Sequence, residues 1–313
     1  MTYEEKHYWA VILGASSGFG LATAEKLASQ GMNICAVHRD RRGAMAVIEE
    51  SFDKIRAYGV NFISFNTNAL DSDARKIILD TLNKAMGPDG KVRVLLHSIA
   101  FGNLKLIAPI PPEEGSLQAC SAISEKLGVE KDKISDAVNT LFSTGIARLY
   151  TLADPPSYSN DRLAEDEDFS NTIYSMGTSM LTWVQDIFQR KMFASDARVF
   201  GLTSEGNTIA WRGYAPVSAA KAVLESISRS IAVEMAPYGI RCNVIQAGVT
   251  DTPALRHIPG NAHIAAVAKL RNPFKRLTRP DDVANVIALL CSDDAAWING
   301  EIIRVDGGEH IAG

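Results

Sequence analysis

The 313-residue chain has no uninterrupted apolar run near the roughly 18 residues a membrane-spanning helix needs, although 46% of its residues are hydrophobic. Cysteine is scarce: Cys35, Cys120, Cys242 and Cys291 lie far apart, with no CxxC pair and no Cys/His spacing suited to zinc. A disulfide framework and a zinc site are therefore not expected, and the four thiols read as reduced and mostly structural. An excess of one charge is also lacking. A net charge of -4, with Lys and Arg dispersed through acidic sequence, offers no general attraction to nucleic acid or an anionic membrane. The opening MTYEEKHYWAVILG puts acidic residues before a short apolar run that enters a glycine motif directly, unlike a secretory leader. The expectation is a cytoplasmic protein with neither nucleic acid nor membrane as partner.

What is present is alternation. Residues 8–13 form an apolar run ending at Gly14, and residues 19–30 then carry Leu21, Ala24, Leu27 and Ala28 at helical spacing up to Gly31. The rhythm continues with strand-like 32–38, helical 43–58, strand-like 60–65, helical 72–86 and a buried strand at 92–99. After residue 168 come a helix at 169–192, a strand at 199–203, a helix at 215–236, a strand at 241–247, an irregular, mobile-looking segment to 278, a helix at 280–291 and a last strand, IIRVDGG. Such a pattern predicts one α/β domain over 1–313, a Rossmann-like, doubly wound parallel sheet of about seven strands with helices on both faces. Residues 103–168 break the rhythm with a Pro-rich stretch, helices near 117–127 and 131–147 and a polar loop. They read as an insertion, an active-site lid or an interface element.

Gly14, Ser16, Ser17, Gly18, Phe19 and Gly20 lie where the first strand turns into the first helix. Glycines there let backbone N–H groups and a helix N-terminus approach a pyrophosphate without Cβ clashes, so a dinucleotide is the expected ligand. The second strand ends in His38-Arg39-Asp40, where an enzyme selecting NAD usually carries an acid for the ribose hydroxyls. Arg39 instead presents a planar donor fork suited to a 2'-phosphate, which favours NADPH over NADH, with Asp40 as the opposing signal.

The GxxxGxG spacing resembles the short-chain dehydrogenases. Ordinary members of that family use YxxxK, but the residue four before Lys221 is Val217, which has no proton to give, and the nearby phenol is Tyr214, seven before the lysine. That Yx6K spacing resembles the enoyl-acyl-carrier-protein reductases. So does His97-Ser98-Ile99-Ala100-Phe101-Gly102 in place of the usual NNAG, and so does Gln246-Ala247-Gly248-Val249-Thr250-Asp251-Thr252, with Ala-Gly for Pro-Gly.

The resemblance implies Tyr214 and Lys221 as catalytic residues, with Ser204 as a second donor where many enoyl reductases carry another tyrosine. It implies cofactor contacts at Asn68 and Ala69 beside an adenine and at Ser98, Ile99 and Ala100. Lys221 would hold the nicotinamide ribose, Gly248 and the Val249 backbone would meet the carboxamide, and Thr252 would lie near the pyrophosphate. The implied reaction is NADPH-dependent reduction of the C2–C3 double bond of an enoyl thioester, carried by acyl carrier protein or CoA, in fatty acid synthesis. A homo-oligomer, commonly a tetramer, is implied too. A carbonyl or 3-ketoacyl reductase with a shifted proton donor, and a non-catalytic NADPH-binding regulatory protein, are the alternatives. Tyr174 and the row Met176, Met180, Trp183 and Phe188 read as packing. Lys269, Arg271, Lys275 and Arg276 form a basic stretch that suits either an acidic carrier or a solvated loop.

Overall fold

The computed structural model describes residues 3, 7–111, 115–159 and 162–312. Its strands are β1 (Tyr8–Leu13), β2 (Asn33–His38), β3 (Phe62–Asn66), β4 (Lys91–His97), β5 (Phe193–Thr203), β6 (Arg241–Ala247) and β7 (Ile302–Val305). They form one seven-stranded sheet in the order β3-β2-β1-β4-β5-β6-β7, and every neighbouring pair is parallel.

The alternation of side chains along β1 shows how the sheet is covered on both faces. Ala10 and Ile12 join a core with Ala24 and Leu27 of α1 (Gly18–Ala28), Phe52 of α2 (Met45–Arg56) and Ile287 of α11 (Pro280–Leu290). Trp9, Val11 and Leu13 join the opposite core, with Leu79 of α3 (Ser72–Met86), Trp183 of α7 (Ser179–Gln189) and Leu224 of α8 (Ala215–Glu234). Chain direction across the sheet reverses between β1 and β4. Their C-terminal ends meet there, with the Ser98 amide donating to the Leu13 carbonyl at 2.8 Å. Ligands of doubly wound sheets settle at such a switch point.

Element order and the 72–86 helix agree with the sequence expectation, and the differences have local causes. Strand β5 begins at Phe193 rather than 199, because Phe193 pairs with Val92 before a register shift, and the intervening Ser195 and Asp196 interrupt the apolar pattern. The helix expected over 169–192 is α6 (Asp166–Ile173) and α7, joined by a π-helical turn at Tyr174–Thr178. The segment read as irregular up to residue 278 contains α9 (Pro253–Arg256) and α10 (Asn261–Arg271). The first is started by Thr252, whose hydroxyl accepts from the Leu255 amide at 3.2 Å. The second is rich in alanine, which hides its periodicity.

Within the insertion, α4 (Gly115–Leu127) and α5 (Lys131–Ser143) pack on each other, and α5 ends four residues short of the expected 147. The base of the insertion is tied shut. The Ala164 amide donates to the Leu106 carbonyl at 2.7 Å, and Lys105 pairs with Asp168 at 2.8 Å. Its far side reaches α10, where the rings of Phe142 and His263 lie 4.9 Å apart. Among the described residues no helix is long and apolar enough to cross a membrane, and no His, Cys, Asp and Glu cluster is arranged to hold a metal.

Candidate active site

The glycine turn is held by close backbone contact. Gly14 has φ of +88°, and a Cβ there would lie 2.3 Å from the Ser98 carbonyl oxygen. A Cβ on Gly20 would lie 2.1 Å from the Gly14 carbonyl oxygen. The first turn of α1 has no acidic residue, and no side chain caps its N-terminus. Its amides and dipole are thus left for an anion from outside. Ser16, Gly18 and Phe19 are partly exposed and Ser17 is exposed at this end. Thr252 lies across the turn, with its methyl 3.4 Å from where a Cβ on Gly18 would stand.

At the end of β2 the two opposing signals separate. The Asp40 carboxylate turns back to the buried His38, Oδ2 to Nδ1 at 2.8 Å, and the Asp40 amide donates to Asn66 at 2.9 Å. Arg39 is exposed, with its guanidinium 4.4 Å from the centroid of the Phe101 ring. Asn68 and Ala69 follow β3. Asn68 accepts from the Leu70 amide at 3.2 Å, and the Ala69 carbonyl accepts from the Trp183 indole at 2.9 Å. Ile99 is half-buried and Ala100 exposed.

Ser204 and Tyr214 come together although ten residues separate them. The Ser204 Oγ lies 3.2 Å from the Tyr214 Oη. Ser204 stands at the end of β5, and Tyr214 caps α8, whose first turn carries Pro216. Burial raises the Tyr214 phenol above its ordinary value and the hydrogen bond with Ser204 lowers it in part, so a neutral hydroxyl faces the site. Lys221 is buried and donates from Nζ to the Leu202 carbonyl at 2.7 Å. Its pKa is lowered to about 8 by burial, against a raising effect of Glu225. Val217 is buried against Met176 and Ala220 in a small apolar cluster that Tyr214 also touches.

Gly248 and Val249 follow β6. Gly248 is tightly packed, since a Cβ there would lie 2.4 Å from the Thr278 Oγ1. The Val249 amide, expected to meet a carboxamide, is committed in this structure to the Glu309 carboxylate at 3.3 Å. Glu309 is buried, and the same carboxylate lies 3.4 Å from Arg271, whose guanidinium also pairs with Glu205. Glu205, Arg271 and Glu309 therefore join the loop after Ser204, the end of α10 and the turn after β7. Sequence reasoning missed this triad because its members are 66 and 38 residues apart. The basic stretch is correspondingly depleted: Arg271 is spent here, Arg276 pairs with Asp282 at 2.6 Å, and Lys275 donates to the Leu270 carbonyl.

Further polar groups are held within the fold. His97 is buried with Nε2 2.8 Å from the Ser179 Oγ, and burial with nearby Lys221 pulls its pKa to about 3. It is a neutral, structural histidine. The Tyr174 hydroxyl donates to the Leu70 carbonyl at 2.9 Å, and Met180, Trp183 and Phe188 pack in the sheet core. Beside Tyr214 opens an apolar cavity of about 610 Å³, walled by Leu106, Ile107 and Ile110 of the insertion and by Trp211. Tyr214 is part of its lining, and none of the glycine-turn residues is.

Comparison with known proteins agrees with the fold. A family model described as short chain dehydrogenase matches residues 8–117, and one described as Enoyl-(Acyl carrier protein) reductase matches residues 156–310. The stretch between the two matches, 118–155, lies within the 103–168 segment that breaks the strand–helix rhythm. The 3-oxoacyl-(acyl-carrier-protein) reductase FabG of Escherichia coli is 24% identical over 302 residues, 96% of this chain and 97% of that protein. The 1-cyclohexenylcarbonyl-CoA reductase of Streptomyces collinus is 35% identical over 124 residues, 39% of this chain and 44% of that protein. Among solved structures, a short chain dehydrogenase from Burkholderia cenocepacia in complex with NADP superposes with a TM-score of 0.70 at 19% identity, covering 98% of this chain and 99% of that one. The glycine turn, the seven-stranded order and these matches over both halves of the sheet lead to one assignment: the chain belongs to the short-chain dehydrogenase/reductase family of oxidoreductases.

Proposed function

We propose that the protein reduces the C2–C3 double bond of an enoyl thioester with NADPH. The observation that carries this reading is the displaced proton donor: Val217 is buried where YxxxK enzymes have tyrosine, and the Tyr214 hydroxyl stands beside Ser204 instead. An unsaturated thioester substrate is consistent with the name of the Streptomyces relative, whose 1-cyclohexenylcarbonyl group is an α,β-unsaturated acyl group. The residues around the glycine turn fit a dinucleotide: the α1 amides are uncapped, no acid opposes a pyrophosphate, and Thr252 closes the far side. Arg39 would hold a 2'-phosphate and Lys221 the nicotinamide ribose, and bound NADPH would supply a hydride to C3. Tyr214 donates a hydrogen bond to the thioester oxygen as it becomes an enolate, Ser204 holds the phenol and offers a second hydroxyl, and Lys221 adds positive potential. Collapse of the enolate with a proton taken up from solvent water at C2 completes the reaction.

The test is loss of NADPH absorbance with trans-2-enoyl-CoA thioesters and with matched 3-ketoacyl thioesters. CoA is the first carrier to try, because much of the basic stretch is already paired internally. Turnover of the enoyl substrate alone supports the proposal, with kcat/KM rising roughly fourfold per methylene, about 0.8 kcal/mol of burial, as the cavity fills. Ketone turnover alone, the activity named for the full-length FabG relative, would replace it. Silence with both would leave the non-catalytic reading.

The choice of cofactor has its own test. Arg39→Glu removes the donor fork and sets a carboxylate in its place, while Asp40 stays engaged by His38. A hydrogen bond to a charged group is worth about 1.5–3 kcal/mol, so the Kd for NADPH should rise by roughly 10- to 150-fold with that for NADH little changed. Equal effects on the two cofactors would remove Arg39 from the site.

A further inference from the structure

The loop bearing Ser204 is clamped from beneath by one side chain with no role in the mechanism above. Glu225 lies one helical turn after Lys221 on α8. Its Oε1 accepts from the Thr203 hydroxyl at 2.6 Å and also from the Asn207 side-chain amide. These two donors flank Ser204 on its N- and C-terminal sides. We propose that Glu225 is the positioning residue of this site, fixing Ser204 against Tyr214 through Thr203 and Asn207 while setting a negative charge one turn from Lys221. The inference rests on Ser204, Tyr214 and Lys221 being the reacting group.

The geometry leaves little freedom. Thr203 is the last residue of β5, and Asn207 ends the short 3₁₀ turn that begins at Glu205. A single carboxylate oxygen pins both ends of this five-residue span to α8. From the other side Arg271 holds Glu205. The Ser204 side chain is thus placed by its neighbours on either side.

The charge matters because Lys221 faces few groups that can support an ammonium. The Leu202 carbonyl of β5 accepts its hydrogen bond, His97 of β4 is neutral, and Tyr214 at the start of α8 is held protonated by burial. Burial depresses Lys221 to about 8, and the Glu225 carboxylate acts in the opposite direction. Loss of that carboxylate therefore moves the lysine further down, and the ammonium is lost at a lower pH.

Three substitutions separate the two roles. Glu225→Gln keeps an acceptor oxygen for Thr203 and Asn207 but removes the charge. Thr203→Val keeps the charge but opens one arm of the clamp. Glu225→Asp retains the charge on a shorter stem and should restore part of both effects. The first readout is the titration of the Lys221 side chain by carbon NMR in the cofactor-free protein, which needs neither substrate nor turnover. Glu225→Gln should lower the midpoint by about one pH unit, the size of shift a nearby opposite charge produces, whereas Thr203→Val should leave it in place. The second readout is turnover at a pH where the lysine is charged: Thr203→Val should reduce kcat by about tenfold with KM changed less than twofold, the cost of one hydrogen bond that holds a catalytic group. An unchanged midpoint in Glu225→Gln together with an unchanged kcat in Thr203→Val would overturn the proposal. A wild-type protein that reduces neither substrate would instead defeat the functional reading, with the NMR titration still deciding the role of Glu225. Circular dichroism of each variant guards against loss of fold, and since Glu225→Gln preserves every hydrogen-bonding position, its titration stands even if a harsher substitution fails to fold.

Discussion

Tyr214→Phe should lower turnover of an enoyl thioester by about two to three orders of magnitude while leaving NADPH affinity within a factor of two. The magnitude is that of losing one preorganised donor to a developing oxyanion. Tyr214 meets that description because burial holds its phenol protonated, so the hydroxyl enters the reaction as a donor without a prior proton transfer. The substitution removes one oxygen and keeps the ring, so the packing against Val217, Ala220 and Met176 survives and a change in stability is not the cause of the loss. Ser204→Ala should cost less, since a serine whose hydroxyl sits 3.2 Å from the phenol oxygen positions the donor more than it replaces it. Single-turnover rates with saturating NADPH check both variants. A Tyr214→Phe enzyme retaining more than a tenth of wild-type turnover would transfer the donor role to Ser204 or to water. A loss confined to KM would show that Tyr214 binds ground state and transition state equally.

Most of the sheet was legible because period and punctuation agree. YWAVIL ends at a glycine, the following helix repeats small apolar residues, and Gly31 stops it, so β1 and α1 are readable from side-chain chemistry alone. The Tyr214–Lys221 spacing was readable for a similar reason: both lie on one continuous stretch, and helical geometry converts sequence separation into distance. What escaped depends on tertiary closure. Arg198 and Asp196 interrupt an apolar run, yet they belong to β5, because buried Arg198 and Arg93 turn their guanidinium groups to the carbonyls of Leu290 and Cys291 at the end of α11. Such buried arginines cap a helix end, and a window of sequence shows only a charge in a strand. Glu205, Arg271 and Glu309 escaped in the same way, since a triad drawn from three loops has no spacing. The commitment of the Val249 amide to Glu309 follows from that triad and was equally out of reach. Glu225, by contrast, was visible four residues after Lys221, but its partners Thr203 and Asn207 become neighbours only when β5 and α8 pack.

The glycine turn gives the second large effect, and two of its residues should fail in different ways. Gly14→Ala requires a Cβ 2.3 Å from the Ser98 carbonyl oxygen at a residue with φ of +88°. That carbonyl cannot retreat freely, because the Ser98 amide is bonded to the Leu13 carbonyl and Gly14 itself donates to Val37. Steric overlap and left-handed strain together should cost about 3 kcal/mol, a fall in Tm of about 5–10 °C, and NADPH binding should be lost with the geometry of the turn. Gly18→Ala meets no backbone: its Cβ would rest 3.4 Å from the Thr252 methyl, an ordinary contact, so only the left-handed φ of +54° is strained. The expected stability loss is about 1 kcal/mol. The added methyl stands between the α1 amides and Thr252, so NADPH affinity should still fall at least tenfold, the scale of one lost charge-assisted hydrogen bond. Thermal unfolding with and without NADPH measures both terms, since a ligand that binds only the folded state raises Tm in proportion to its affinity. A Gly18→Ala protein that gains as much Tm from NADPH as wild type would move the pyrophosphate away from the start of α1, and a Gly14→Ala protein of wild-type stability would contradict the contact between the ends of β1 and β4 on which the crevice is built.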